Sequence, residues 1–166
     1  MIRSSGFTKG AFYFHFESKE ALALDTFRYK QQQLISRLLG DTGDQPDAMA
    51  QLDGVLRRRA GLLQEDPSLN CVLCLGAELG ATAGPDSEYA GYLNDAIRLL
   101  SELVARGQSE KVFRRDLSPR TIAETIFASI IGVHQLASTL SGDGDIAQRT
   151  EQLIALLHGG LESRNP

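Results

Sequence analysis

The first 22 residues contain the side chains whose types and spacing indicate a binding chemistry. Five residues combine small, hydroxyl-bearing and basic groups: Thr8, Lys9, Gly10, Tyr13 and Lys19. We expect a short helix over about residues 8–15, with Thr8 as its N-cap and the Tyr13 hydroxyl on its outer side. Gly10 lets the backbone approach a partner closely, and Lys19 begins the next helix, where free backbone amides favour phosphate. The pattern is typical of contact with a nucleic-acid backbone.

Residues 6–22 resemble the TetR/AcrR family of bacterial transcriptional regulators. They read GFTKGAFYFHFESKEAL and match that family's turn, recognition helix and start of the following helix. The resemblance implies that the DNA major groove is met by five residues and the DNA backbone by Lys19; the five are Thr8, Lys9, Gly10, Tyr13 and His15. Phe14 stands where the family often has Tyr or His, so one polar contact is lost. The alternative is a capped helix with a surface lysine and a packed aromatic cluster.

The resemblance also implies two helices before Gly6, roughly 30 residues at ordinary helix lengths. Five residues precede Gly6 in this sequence. We therefore expect a misplaced start, or a fragment of a regulator that binds DNA when complete. The alternative is a genuine truncation, which leaves a ligand-binding and dimerisation module without effective DNA binding.

Charged and aromatic residues are unevenly spread along the chain. The 166 residues carry 17 basic and 21 acidic side chains, a net charge of −4, but residues 1–30 hold five basic and three acidic ones. The same 30 residues contain seven of the eleven aromatic side chains. A basic, aromatic-rich N-terminal segment followed by an acidic remainder indicates that the two segments have different functions. We call them the head and the body.

Hydrophobic periodicity predicts an all-helical chain, because no stretch alternates apolar and polar residues as a strand does. After the helix over residues 8–15 we expect six more: Ser18 to Gly40, Pro46 to Glu65, Leu69 to Ala81, Asp86 or Ser87 to Gly107, Pro119 to Leu140 and Ile146 to His158. Ser18, Ser68 and Ser118 are predicted N-caps, and Gly159-Gly160 is predicted to end the last helix.

The predicted fold class is all-α, with two domains. A truncated helix-turn-helix head, residues 1–22, is joined by a long helix to an α-helical ligand-binding and dimerisation domain, residues 23–166. By resemblance, the chain is a regulator, most simply a repressor, that binds a palindromic operator in double-stranded DNA as a homodimer. A small-molecule effector would then release it. The resemblance also implies a bacterial, cytoplasmic protein.

The effector pocket is expected among the helices of the second domain. Its predicted lining residues are Leu75, Glu78, Leu79, Tyr89, Tyr92, Phe127 and His134. Glu78 and His134 are polar residues on apolar helices, so each lies either at a solvent edge or at a polar position inside the protein. The structural alternative is that both simply find partners in the packed domain.

The last two helices are the expected dimer interface. They carry the apolar residues Ile122, Ile126, Ile130, Val133, Leu153, Leu156 and Leu157, together with small residues that allow close packing. Two such helix pairs can form a four-helix bundle across a two-fold axis. The alternative is that these faces pack within one chain.

Two further clusters carry weaker signals. Cys71 and Cys74 are three apart on an apolar helix, which favours two buried thiols over a redox pair or half a metal site. Arg57, Arg58 and Arg59 point about 100° apart around a helix, so we expect a solvated face with Glu65 and Asp66 nearby rather than one basic patch.

Several functional classes lack support in the sequence. It contains no nucleophile elbow, no Gly-rich phosphate loop and no His-x-x-x-His pair, so we expect neither an enzyme nor a metal or cofactor. The longest apolar run, residues 126–140, is too short and too polar for a membrane span. Two cysteines exclude a disulfide scaffold.

Overall fold

The computed structural model describes residues 18–39, 45–82, 84–141 and 144–162. These ranges form six helices, numbered here in chain order: α1 Lys19–Leu39, α2 Ala48–Glu65, α3 Pro67–Thr82, α4 Glu88–Ser109, α5 Pro119–Ser141 and α6 Ile146–Leu161. The predicted all-α class is therefore confirmed for the described part of the chain. The predicted helix over residues 8–15 lies outside it.

Hydroxyl caps fix the start of three helices, as the sequence predicts. Ser18 Oγ accepts the backbone N–H of Ala21 at 3.0 Å and begins α1. Ser87 Oγ accepts the N–H of Ala90 at 3.2 Å and begins α4. Ser118 caps α5, with its Oγ 3.1 Å from the N of Thr121. Such caps satisfy backbone donors that have no partner inside the helix, each contributing about 1 kcal/mol.

Two predicted helix ends were wrong. Ser68 is not the cap of α3, because the helix already begins at Pro67 and the carboxylate of Asp66 accepts the N–H of Ser68 at 3.0 Å. Pro67 thus takes the first helical position, where its missing N–H costs nothing. Gly159-Gly160 does not end α6, which continues to Leu161. Leu161 is buried and its carbonyl accepts the N–H of Arg114 at 2.7 Å, so tertiary contacts hold this last turn.

The helices pack around two apolar clusters. The larger core cluster joins α2, α4, α5 and α6 and contains Leu52, Leu56, Val104, Phe113, Ile126, Ile130 and Leu153, among others. The smaller core cluster joins α1, α2, α3, α5 and α6 and contains Leu34, Ala60, Leu62, Leu63, Leu69, Ala137 and Ile146. Val133 packs against both clusters. Burial of each large side chain stabilises the fold by roughly 1.5–3 kcal/mol.

The closest helix pairing is α4 with α5, and α6 packs on both α2 and α5. α1 packs mainly on α3, which also meets α2 and α4. α1 therefore reaches the rest of the molecule chiefly through α3, with additional contacts to α2. In the sequence, α1 directly follows residues 6–17.

Candidate functional site

Lys19 is the member of the predicted DNA-facing set that the structure describes. It is exposed at the start of α1, immediately after the Ser18 cap. An exposed ammonium beside free backbone amides suits a phosphate group. The other five, Thr8, Lys9, Gly10, Tyr13 and His15, lie outside the described residues, so their contact with DNA stays a prediction.

An aromatic cluster joins α1 to α4 and includes two of the predicted pocket residues. The ring of Phe27 lies 5.4 Å from that of Tyr89 and 5.5 Å from that of Tyr92, between centroids, and the second pair is edge-to-face. Phe27 is buried, with 2% of its surface exposed. Aromatic pairs of this geometry add about 0.5–1.5 kcal/mol to simple burial. The sequence predicts Tyr89 and Tyr92 as pocket residues, which stays a prediction, and the predicted set does not include their partner Phe27.

Two glycines of α3 make room for Tyr89. A Cβ atom added to Gly80 would lie 2.9 Å from Tyr89 Cε1, and one added to Gly76 would lie 3.0 Å from a ring carbon of Phe27. The two glycines are four residues apart, so they share one helix face and form a shallow groove. Burial in this groove raises the pKa of the Tyr89 phenol. The Gly-x-x-x-Gly spacing beside an aromatic-rich helix was the signal that could have located this contact.

Arg28 adds polar contacts from α1 to α4. Its guanidinium forms an ion pair with Glu88, and its Nε donates to the Tyr92 hydroxyl at 3.1 Å. The hydrogen bonds to Glu88 and then to Tyr92 raise the pKa of Arg28. Glu88 is in the first turn of α4, where a carboxylate also suits the helix dipole. Phe27 and Arg28 thus connect α1 to the start of α4 through neighbouring positions.

The other predicted pocket residues do not all join this cluster. His134 is buried, with 5% of its surface exposed, whereas Leu75, Leu79 and Phe127 are partly buried. Glu78 is exposed on α3, which agrees with the solvent-edge alternative and not with a place inside a pocket. The structure therefore brings Tyr89 and Tyr92 together and leaves His134 deeper in the bundle.

The predicted dimer residues divide between the interior and the surface. Four of them pack within the chain's own larger core cluster: Ile122, Ile126, Ile130 and Leu153. Val133 and Leu157 are partly buried against that cluster, and Leu156 is 75% exposed. Ile122, Ile126 and Ile130 of α5 therefore face the core of their own chain. Among the predicted dimer residues, Leu156 is the one whose side chain is largely exposed to a partner chain. The dimer itself stays a prediction.

The predicted solvated face is found at two positions of the Arg57–Arg59 cluster, since Arg57 and Arg58 are exposed and Arg59 is not. Arg57 forms two hydrogen bonds with the carboxylate of Glu151 on α6, at 2.7 and 3.0 Å, and Arg58 is exposed. Arg59 instead points toward the core, and burial lowers its pKa to about 10. Glu65, expected near this cluster, pairs with Arg37 of α1 at 2.9 Å.

A surface cleft of about 410 Å³ runs along the outer side of α2 and meets the end of α1. Its lining includes Leu38, Gln51, Val55, Arg58 and Glu65. This lining includes none of the predicted pocket residues, so the cleft and the aromatic cluster are separate features.

Cys71 and Cys74 lie on α3, as predicted, but their side chains are outside what the structure describes. In the described ranges no group of three His, Cys, Asp or Glu side chains is arranged to hold a metal ion. Across those same ranges, every helix falls short of the length and apolarity needed to cross a bilayer.

Solved structures resemble this fold over nearly the whole chain. TylP, a TetR regulator from Streptomyces fradiae, aligns with a TM-score of 0.70 at 24% identity, over 97% of this chain and 74% of TylP. The MbdR regulator from Azoarcus sp. CIB aligns with a TM-score of 0.73 at 25% identity, over 92% of this chain and 82% of MbdR. A gamma-butyrolactone receptor described as an ArpA-like protein aligns with a TM-score of 0.65 at 21% identity, over 97% of this chain and 75% of the receptor chain.

No protein-family profile and no curated relative matches the sequence. The relationship therefore stands on the shared architecture together with the resemblance in residues 6–22. The chain has the all-helical fold of the TetR-type transcriptional regulators.

Proposed function

We propose that this protein is a ligand-responsive transcriptional regulator of the TetR family that binds operator DNA as a homodimer and leaves it when a small molecule binds. The agreement of two independent observations supports the proposal. The residues that resemble a TetR recognition helix directly precede a body whose fold, found independently, is that of TetR-type regulators.

DNA contact is assigned to the residues before and at the start of α1. Thr8, Lys9, Gly10, Tyr13 and His15 would meet the major groove, and Lys19 the phosphate backbone. The exposed position of Lys19 at a capped helix N-terminus supports its part of this assignment. In a symmetric dimer, two such heads would meet successive major grooves about 34–36 Å apart, which is why a palindromic operator is expected.

Release requires that ligand binding changes the position of α1. Phe27 and Arg28 connect α1 to α4 through Tyr89, Tyr92 and Glu88. A ligand that moves α3 or α4 would therefore tilt α1 and change the spacing of the two heads. It can act only to the extent that its affinity differs between the two arrangements.

The dimer surface is assigned to the outward faces of α5 and α6. Exposed small residues, Ala128 and Gly132 on α5 and Ala155 and Gly159 on α6, let a second chain approach closely. A Cβ added at Gly132 or Gly159 would meet nothing within 4 Å in this chain. Leu136 and Leu156, 50% and 75% exposed, border these faces. Small residues flanked by exposed leucines suit close helix packing across a two-fold axis.

A DNA-binding titration tests the proposal. Fluorescence anisotropy with the intergenic DNA beside the gene, compared with scrambled DNA at several salt concentrations, should show sequence preference and a steep salt dependence. Lys9→Ala should weaken binding and reduce the salt slope by about one. Lys111→Ala, which removes an exposed lysine between α4 and α5, is the matched control and should change neither.

A folded dimer that binds both DNAs equally, or neither, would contradict operator recognition. That result would favour the alternative of a ligand-binding and dimerisation module. Equal effects of Lys9→Ala and Lys111→Ala would contradict the assignment of the recognition helix.

A further inference from the structure

Three polar side chains interrupt the core at one level of the bundle. They are Arg59 of α2, His134 of α5 and Thr150 of α6. In each helix, the buried apolar residues on one side of this position belong to the larger core cluster and those on the other side to the smaller. His134 and Thr150 are the buried polar residues of the described ranges, with 5% and 6% of their surface exposed. We call these three residues the polar layer.

Arg59 faces the core because of its register on α2. Leu52, Leu56, Arg59 and Leu63 follow one another at spacings of four, three and four residues, which places them on one side of an α-helix. The three leucines are each at most 3% exposed. The side chain of Arg59 retains some accessible surface although protein surrounds its guanidinium. Arg59 therefore occupies a core-facing position of α2 without being fully buried.

The described residues provide no countercharge for this guanidinium. No residue in the described part of the chain forms an ion pair or hydrogen bond with Arg59, and desolvation alone lowers its pKa, to about 10. Arg59 therefore remains protonated at neutral pH. An enclosed cation without a partner is strongly unfavourable, so proteins normally pair it. The adjacent Arg57 shows the ordinary arrangement, since it binds the carboxylate of Glu151.

The surroundings of Arg59 define the missing partner. A single guanidinium balances one negative charge, and its planar fork matches the two oxygens of a carboxylate. Thr150 donates its hydroxyl to the carbonyl of Ile146 at 2.8 Å, so its oxygen can still accept a hydrogen bond. Apolar side chains enclose the layer on both sides. This environment suits an acid with a hydrocarbon body better than an inorganic ion.

We propose that the polar layer binds a small organic carboxylate, with the Arg59 guanidinium as its counter-ion and the two apolar clusters around its hydrocarbon part. The inference rests on the proposed function, because the carboxylate would be the effector of the regulator. It assigns the effector's chemical class and its anchoring residue, which lies outside the predicted pocket set.

Calorimetric titration of the full chain without DNA tests this site. The probes are sodium benzoate and sodium octanoate, each compared with its neutral amide, benzamide or octanamide. The wild-type protein should bind at least one carboxylate about tenfold or more tightly than the matching amide, because only the carboxylate can form a charge-assisted, bidentate pair with the guanidinium. Arg59→Gln should remove that preference and leave amide binding unchanged.

Arg58→Gln is the matched control, because it removes the same charge from the neighbouring, exposed position of α2. It should retain the full preference for the carboxylate. Circular dichroism of each variant shows that it is folded, and the comparison of acid and amide on the wild-type protein needs no variant at all.

The proposal is overturned if neither carboxylate binds, if the amides bind as tightly, or if Arg58→Gln loses as much affinity as Arg59→Gln. Because these titrations contain no DNA, they can succeed even if the protein fails to recognise an operator. Conversely, operator binding with no response to the carboxylates would reject this inference and leave the proposed regulator intact.

Discussion

His158 Nε2 lies 3.0 Å from both carboxylate oxygens of Asp53 and thereby joins α6 to α2. The Asp53 carboxylate is 14% exposed and also lies 3.6 Å from Arg57, whose guanidinium reaches Glu151. Asp53 is thus the shielded centre of a network whose other acid, Glu151, is 54% exposed. The contributions of a shielded and an exposed carboxylate in one network, Asp53 and Glu151, can therefore be compared directly.

We expect Asp53→Asn to lower the free energy of unfolding by about 1–3 kcal/mol, because it weakens charge-assisted hydrogen bonds at a shielded position. Glu151→Gln should lower the free energy of unfolding by less than about 1 kcal/mol, since exposed ion pairs contribute little to stability. Urea denaturation at neutral pH measures both. Equal losses would show that shielding of Asp53 does not govern the strength of the network.

The contact of Phe27 with α4 predicts a second effect on stability. Phe27→Ala should lower the free energy of unfolding by about 3–5 kcal/mol, because it empties a buried site beside Tyr89 and Tyr92. Tyr29→Ala is the matched control on the same helix, where the ring is 60% exposed, and should cost less than about 0.5 kcal/mol. Chemical denaturation followed by circular dichroism distinguishes them.

A small loss in Phe27→Ala, similar to that in Tyr29→Ala, would mean that α1 is not held to α4 through this aromatic cluster. The proposed transmission from ligand to DNA would then lose its main contact. A large loss together with unchanged ligand response in DNA binding would restrict Phe27 to a structural role.

Much of this fold could be predicted because its signals are local. Ser18, Ser87 and Ser118 satisfy backbone donors within three residues of themselves, so sequence alone places those helix starts. The continuation of α6 to Leu161 could not be predicted in this way. It depends on a hydrogen bond with Arg114, 47 positions earlier, which overrides the usual effect of two glycines.

The candidate sites show the same division between local and distant effects. The sequence predicts that Tyr89 and Tyr92 line a pocket, but their observed partner Phe27 lies on another helix, where the spacing of residues along α4 gives no information. Ile122 and Ile126 form a clear apolar stripe, yet the sequence does not tell whether a stripe faces its own chain or a second copy. Here the chain's own α2 and α4 contribute to the cluster that covers it.

The outward faces of α5 and α6 predict how dimerisation can be disrupted. Leu156→Glu should weaken self-association at least tenfold, because it places a charge within the apolar surface that would be buried between chains. It should leave the fold of the monomer intact, since Leu156 is 75% exposed. Sedimentation velocity over a range of protein concentrations measures the change.

Leu99→Glu is the control for this experiment, because Leu99 is an exposed leucine on α4, which is not one of the two helices assigned to the dimer surface. It should dimerise as the wild-type protein does. The assigned surface is wrong if Leu99→Glu dissociates the dimer and Leu156→Glu does not. A wild-type protein that remains monomeric at micromolar concentration would contradict the dimer itself.

The enclosed charge of Arg59 predicts a substitution that stabilises the protein. Arg59→Met retains much of the side-chain length and removes a desolvated cation that the described residues do not pair, so the free energy of unfolding without ligand should rise by about 1–4 kcal/mol. Arg58→Met at the exposed neighbouring position should change it by less than about 0.5 kcal/mol. Thermal and urea denaturation provide the measurement. A gain in stability would show that the charge of Arg59 is retained for a reason other than folding. A loss of stability in Arg59→Met would instead show that Arg59 stabilises the core and does not serve to bind an anion.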